Sequence, residues 1–442
     1  MQNNSELKPR NHYLNKLISF QDAEPVKIIT GIRRCGKSSL MQMMIQHLRQ
    51  NGVSAEQIFA LDFEDYENQR LSTDDLYNLV KAKATSISDK RLYLFCDEIQ
   101  HLQGWENVIN GFRVSLNCDI YLTGSNSYLL STDYSTYLSG RYVEIKMLPL
   151  SFREFLLFHG FTKQDSHKDP LGYRHVFSYH NQSYNQNEVF SLYLRFGGMP
   201  VLSKLGFDQS QALIQLEGIY STIVMRDVLE SARHREQRPI TDYTLLRKIV
   251  LFLADNIGSN ISVTKIGTVL EKECLMGAAK PHKIPSAHTV QHYVSALLES
   301  FLFSEVKRFD IKGKEYLRTL SKFYIVDIGL RNYLLGFRER DRSHTLENVV
   351  YFELLYRGYD VAIGKVNNQE IDFIATNFEE KIYIQVTESM LGEEVRQREL
   401  VPLKKIRDHY PKLVLSLDQG FTEHYEGIQV KNLISWLLHD GM

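Results

Sequence analysis

The sequence predicts an α/β protein built on a parallel sheet, and three observations carry that expectation. In the first third of the 442-residue chain, short β-branched or aromatic runs alternate with longer helical stretches, the pattern of βαβ units with helices on both faces of the sheet. A glycine-bracketed loop, GIRRCGKSS at 31–39, stands between an apolar run and a helical one. A second apolar run, RLYLFCDEIQ from residue 91, ends in two adjacent carboxylates. At roughly 150 residues per domain the length calls for about three compact units, because one hydrophobic core stops growing well before this size.

The elements follow in order. VKIIT (26–30), IFALDF (58–63), RLYLFCD (91–97) and DIYLTGS (119–125) read as strands, with helices from about Lys37, near 74–86 and near 105–116 between them. YVEIKML (142–148) is a further strand that closes the unit before Pro149. Residues 151–240 are largely helical, interrupted by SYHNQSYNQN (178–187), whose Asn and Gln density reads as a solvated loop or insertion. From 241 a helix (YTLLRKIVLFLADNIG), a short one over Val263 to Leu270, a polar connection with Pro281 and Pro285, and a third helix (SAHTVQHYVSALLESFL) precede two alternating runs flanking IKGK. Three helices and a hairpin are the layout of a winged helix. The division expected is a nucleotide-binding core at 1–150, a helical lid at 151–240, a winged-helix unit at 241–340 and an α/β unit at 341–442.

Composition narrows the function classes. Lys and Arg number 52 against 53 Asp and Glu, a net charge of -1, and 43% of residues are apolar. Disorder, collagen and a uniformly basic nucleic-acid binder are excluded. By segment, however, residues 241–340 carry 15 basic and 10 acidic side chains, whereas 341–442 carry 11 and 17. A basic unit attracts phosphate backbones and an acidic one repels them, so DNA is the candidate partner of the winged-helix segment and a protein that of the acidic end. Cys35, Cys96, Cys118 and Cys274 lack paired-ligand spacing, which points to reduced thiols rather than a zinc cage or disulfide framework. MQNNSELKPR lacks the apolar core of a signal peptide, and no stretch approaches the roughly 20 apolar residues that span a bilayer. A cytoplasmic protein without a membrane segment is expected.

The loop at 31–39 fits G-x-x-x-x-G-K-[ST] in the right strand-to-helix context. Gly31 and Gly36 let backbone N–H groups approach phosphate oxygens, with Ile32, Arg33, Arg34, Cys35 and Ser39 completing the cradle, and the helix that follows points its positive end at the same anion. Lys37 is expected to hold the β and γ phosphates of ATP and Ser38 to offer a hydroxyl to Mg²⁺. Asp97 belongs in the Mg²⁺ shell, and Glu98 is placed to orient or deprotonate the attacking water. The strand DIYLTGS delivers Thr123, Gly124, Ser125 and Asn126 to the same end of the sheet, where Asn126 or Ser125 suits a γ-phosphate sensor. Arg141, in LSGRY, is a candidate arginine finger toward a neighbouring subunit, which makes a homo-oligomer a candidate assembly.

With GIRRCGKSSL, DEIQ followed by Trp105, TGSN and LSGRYVEIKMLPLSFREF in view, the chain resembles a bacterial and archaeal family of AAA+ ATPases that carry a C-terminal domain of unknown function. The likeness continues through YLRFGGMP (193–200), IYSTIVMRDV (219–228), YIVDIGLRN (324–332) and ENVVYFELLYRGYDV (347–361), nearly the whole chain. It implies a Walker A role for Gly31, Gly36, Lys37 and Ser38, a Walker B role for Asp97 and Glu98, and a sensor role for Asn126. It also implies a core similar to origin-recognition ATPases, with a helical lid and winged helix following. Residues 347–415 resemble the PD-(D/E)xK nuclease fold, with Asp372 and Gln385 at its first two positions and Thr387 where the lysine belongs. Glu347, Glu353 and Glu370 are candidates to complete a metal site with Asp372. The missing lysine predicts an inactive version.

Overall fold

The computed structural model describes residues 7–88, 90–127, 140–164, 175–230, 240–276, 286–338, 341–419 and 424–439. It divides into two compact units, Met1–Leu148 with Glu299–Phe301, and Pro149–Leu298 with Leu302–Met442. The polar connection with Pro281 and Pro285 and the side chain of Cys274 lie outside the described residues. Cys35, Cys96 and Cys118 are free thiols.

The first unit is the expected parallel sheet: β1 (Val26–Thr30), β2 (Ile58–Asp62), β3 (Leu92–Asp97), β4 (Cys118–Gly124) and β5 (Tyr142–Lys146), in the order β2-β3-β4-β1-β5 with every pairing parallel. β1 is buried at all five positions, as a strand covered on both faces must be. Helices α1 (Asn11–Ser19), α2 (Lys37–Gln50), α3 (Thr73–Ser86) and α4 (Trp105–Ser115) flank it. α3 and α4 pack Leu76, Val80, Ile109 and Phe112 against Ile28, Leu94, Cys96, Ile120 and Leu122, the residues of one strand face. The other strand face carries Phe95 stacked on Tyr121 and the buried pair Lys27 and Asp119. Ser72 caps α3, its side chain accepting from Asp75 N while Asp75 reaches back to Ser72 N, which satisfies two otherwise orphaned donors. α1 is short, nine residues, but its Tyr13 and Leu17, one turn apart, are both buried.

The second unit begins with the helix Phe152–His159 and a small antiparallel sheet, β6 (Thr162–Gln164), β7 (Val176–Tyr179) and β8 (Gln182–Asn185). The Asn-rich run expected as a loop is therefore largely a hairpin. Tyr179 pairs with Gln182 across a two-residue turn, and His180 and Asn181 adopt φ of 48° and 61°, the left-handed pair that matches strand twist. Helices Gln186–Phe196, Gln209–Thr222, Tyr243–Asp255, Val263–Met276 and Ala287–Glu299 follow, a π-helical stretch, Ile223–Glu230, continuing the second of them.

The rest of the unit is one mixed sheet of nine strands: β9 (Asn260–Ile261), β10 (Phe303–Asp310), β11 (Glu315–Ile325), β12 (Asp360–Val366), β13 (Gln369–Thr376), β14 (Lys381–Val386), β15 (Lys412–Ser416), β16 (His424–Tyr425) and β17 (Ile428–Asn432). Its order is β16-β17-β15-β14-β13-β12-β10-β11-β9. The hairpin expected as a wing forms as β10 and β11, and β10 also pairs in parallel with β12, Arg308 opposite Ile363. The basic and acidic segments thus share a sheet, and their charges are close in space rather than apart. Helices Arg342–Tyr356, Glu393–Lys404 and Leu433–Leu438 pack on it.

Candidate nucleotide site and a buried carboxylate cluster

The 31–39 loop leaves β1 and enters α2. Gly31 has φ of 143°, and a Cβ there would lie 2.2 Å from Met147 O. The end of β5 therefore admits only glycine. Gly36 caps α2 with φ of 106°, again a conformation that disfavours side chains. Lys37 opens α2 and is buried; its Nζ donates to Gly31 O at 3.0 Å and lies 3.4 Å from Glu98 Oε1. Arg33 binds Glu64 at 2.7 Å. Ile32 and Cys35 are buried, while Arg34 is exposed with φ of 62°.

β3 and β4 bring the acids to this loop. Ser38 and Thr123 both hydrogen-bond Asp97 through their side chains, and burial pushes the Asp97 carboxyl up against those bonds. Thr123 Oγ1 also accepts Glu98 N at 2.9 Å. One hydroxyl at the end of β4 thereby fixes both acids. Glu98 sits in the left-handed region, φ 50°. Its Oε2 accepts Ser125 N at 3.2 Å and Gln100 Nε2 at 2.5 Å. Burial works to raise its pKa, yet Lys37, Gln100, Arg33 and Ser125 overcome this and hold it at about 2, so the carboxylate is ionised. Asn126, one residue further, is buried beside them in sequence.

Arg141 is exposed and lies elsewhere: its carbonyl accepts Val26 N at 2.9 Å at the amino end of β1. The loop leaves the carboxyl end of that strand, about 15 Å away at roughly 3.3 Å per residue. The Arg141 backbone therefore stands at the opposite end of β1 from the loop. Conversely, Arg10 went unnoticed in the sequence: it is buried, and its Nη1 donates to Cys35 O at 3.0 Å and Leu148 O at 2.9 Å. Tyr13 Oη accepts Leu148 N at 3.1 Å. α1 thus fastens the phosphate loop to the end of β5. No local pattern marks Arg10, because its partners lie 25 and 138 residues away.

In the second unit, β13 carries Asp372 and β14 carries Gln385, whose Oε1 accepts Asp372 N at 2.7 Å and whose Nε2 donates to Glu399 at 3.0 Å. Asp372 Oδ2 accepts Val386 N at 2.8 Å. Glu347 and Glu370 join Asp372, whereas Glu353 does not: it binds Arg357 at 2.8 Å. Thr387 donates to Ser389 O. A lysine is nonetheless present, from β11. Lys322 Nζ lies 2.8 Å from Glu370, 3.1 Å from Glu347 and 3.9 Å from Asp372, with its side chain 4% exposed. Burial alone lowers a lysine pKa, but Glu347, Asp372 and Glu370 together hold this one above its ordinary value. Asp372 is driven well up by burial and by Glu347. No period-2 pattern marks Lys322, because Phe323, Tyr324 and Ile325 beside it are all buried. Among the described residues no group of three or more His, Cys, Asp or Glu has the arrangement of a metal site, and no helix is long and apolar enough to cross a membrane.

Residues 23–156 match the family profile of an AAA domain, and residues 187–341 that of a domain of unknown function (DUF8612). An uncharacterised protein of Haemophilus influenzae is 37% identical over 97% of this chain and 98% of its own. One of Methanocaldococcus jannaschii is 30% identical over 90% of this chain and 83% of its own. Among solved structures, a Walker-type ATPase of Pyrococcus abyssi aligns with 74% of this chain and 95% of its own at 16% identity and a TM-score of 0.47. With a parallel core, a phosphate loop and an Asp-Glu pair at the strand ends, the chain belongs to the AAA+ P-loop ATPase family, in a branch that joins the AAA domain to a domain of unknown function.

Proposed function

We propose that the protein hydrolyses ATP with Mg²⁺ and uses the nucleotide state to move its second unit on DNA. Gly31 to Ser39 cradle the phosphates and Lys37 neutralises them. Ser38 and Asp97 supply hard oxygen ligands that suit Mg²⁺, and the buried, upward-shifted Asp97 carboxyl gains most from a cation nearby. Bound there, Mg²⁺ would neutralise charge developing on the phosphates. Glu98 orients the attacking water or takes its proton, and Asn126 or Ser125 senses the γ-phosphate.

The observation that carries this reading is Glu98: a buried carboxylate, ionised at neutral pH, at 3.4 Å from the phosphate-binding lysine. Glu98→Gln keeps the hydrogen bonds but removes the base, which commonly contributes 10² to 10⁴ in rate. Steady-state phosphate release is expected to fall by about 100-fold or more, with ATP still bound; release at the wild-type rate, or unaltered in Lys37→Ala, overturns the assignment. Arg141, remote from its own loop, fits a finger acting between subunits. Mass in solution with a non-hydrolysable ATP analogue tests this, and a persistent monomer removes the role.

In the second unit we assign a helical lid at 151–240, a winged helix at 241–340 and a nuclease-like domain at 341–442 that does not cut. Lys322 supports the inactive reading, since it fills the space among Glu347, Glu370 and Asp372 that a cation would take. Plasmid cleavage with Mg²⁺ or Mn²⁺ that disappears in Asp372→Ala would overturn it.

A further inference from the structure

The five surplus positive charges of residues 241–340 resolve differently once their surroundings are known. Lys322 is enclosed by carboxylates, Arg308 faces Glu370 at 4.0 Å, and Arg331 and Arg338 each bind an aspartate at 2.7 Å. Lys312, on the turn between β10 and β11, is exposed and has no ion-pair partner among the described residues; Lys405, just past the helix Glu393–Lys404, is in the same state.

These two cations converge. β10 and β12 run parallel with Asp310 opposite Lys365, so the turns that follow them leave the same end of the sheet side by side, tied by Ile311 N to Lys365 O at 2.9 Å. Between the turns lies an open cleft of about 560 Å³ whose lining includes Lys312, Lys365, Lys405, Asn367 and Asn368. Its one carboxylate, Asp310, is engaged by its own turn, with Oδ1 accepting Lys312 N and Gly313 N at 3.0 Å each, and it reaches Lys365 only at 4.0 Å. Three ammonium groups from three separate elements, with amide donors between them, make a site for an extended anion.

We infer that this cleft binds the phosphodiester backbone of a nucleic-acid duplex, an inference that rests on the DNA association proposed above and names where it occurs. Each phosphate contact contributes about 0.9 to the slope of log K against log salt, so three lysines account for about 2.7, or a roughly 40-fold loss of affinity over a fourfold rise from about 50 to 200 mM. Anisotropy titrations of the full chain with labelled duplex DNA, repeated with duplex RNA, provide the test. Lys312→Ala/Lys365→Ala/Lys405→Ala is expected to lose about 2 to 3 of that slope for every duplex the wild type binds. Because Lys365 is half-buried, the exposed double variant Lys312→Ala/Lys405→Ala guards against a folding defect, with a loss of about 2. Wild-type binding with unchanged slopes in both variants overturns the cleft while leaving nucleic-acid binding in place. Absence of wild-type binding at low salt overturns both.

Discussion

Replacing Lys322 by methionine keeps its aliphatic length and deletes one charge from the interior of the second unit. Its ammonium touches Glu370 at 2.8 Å and Glu347 at 3.1 Å, with Asp372 at 3.9 Å, so the variant retains buried acids without their cation. Breaking a buried pair in this way costs about 3 to 5 kcal/mol, a factor of about 10² to 4 × 10³ in the folding constant at roughly 1.4 kcal/mol per decade. The loss must depend on pH. In the wild type, burial raises the Glu347 pKa but Lys322 and His344 bring it below the usual value; without Lys322 the folded-state pKa of Glu347 rises above its unfolded value. The folded variant then holds a proton that the unfolded chain has released, so its stability falls as pH rises through the carboxylate range. The deficit is therefore largest near pH 8 and shrinks toward pH 4. Trp105 and Trp436 are the two tryptophans of the chain, and in a Trp105→Phe background Trp436 fluorescence reports urea unfolding of the second unit. A deficit equal at both pH values, or smaller than about 1 kcal/mol, the scale of an exposed pair, refutes the picture of Lys322 as the cluster's internal cation.

Gly31→Ala places a methyl group 2.2 Å from Met147 O and forces the loop away from β5; nucleotide affinity, followed by fluorescent-ATP titration, is expected to fall about 5- to 150-fold, since strain of this kind costs about 1 to 3 kcal/mol. Arg10→Ala leaves Cys35 O and Leu148 O without this donor; a buried unpaired acceptor costs about 1 to 3 kcal/mol, and the melting midpoint of the first unit is expected to drop while Arg10→Lys recovers part of the loss. Glu106, nearly buried in the first turn of α4, is pushed by burial to about 7. Folded Glu106 thus keeps its proton where the unfolded chain has lost it, and stability falls as pH rises from about 4.5 to 7. Glu106→Gln is expected to gain about 1 to 3 kcal/mol over wild type at pH 8 and nothing at pH 4.5; an equal difference at both, measured by thermal unfolding, contradicts this.

The nucleotide site was legible because its chemistry is local. Lys37 follows Gly31 by six residues, and Asp97 and Glu98 end one strand, so spacing alone delivers them to the same end of a parallel sheet. Thr123 stood out only as a polar strand end; its bond to both acids needs the β3 and β4 register, Leu94 opposite Ile120. Arg10 and Lys322 were illegible for a different reason. Each acts on groups brought near by pairings between distant segments, and the β10 to β12 ladder spans some fifty residues. The shared sheet also defeats charge counting: Lys322 on β11 and Arg308 on β10, from the basic stretch, face Glu370 on β13, from the acidic one.

Among the described residues three buried lysines pair with carboxylates, and burial alone does not say which of them is a site. Lys27 holds Asp119 at 2.5 Å and Ala23 O at 2.7 Å at the base of the first sheet, and it is fully buried, away from solvent. Lys322 lies within 3.9 Å of three acids of its own chain, so its ammonium is already committed to the cluster it stabilises. Lys37 differs. Its contact with Glu98, 3.4 Å, is looser than a good ion pair, and its hydrogen bond at 3.0 Å goes to a carbonyl of a loop whose glycines free the backbone. A phosphate can replace both contacts at little cost, releasing Glu98 toward water. The capacity of a buried cation to exchange its partners, rather than its depth, separates the lysine we propose for phosphate from the two that hold the structure.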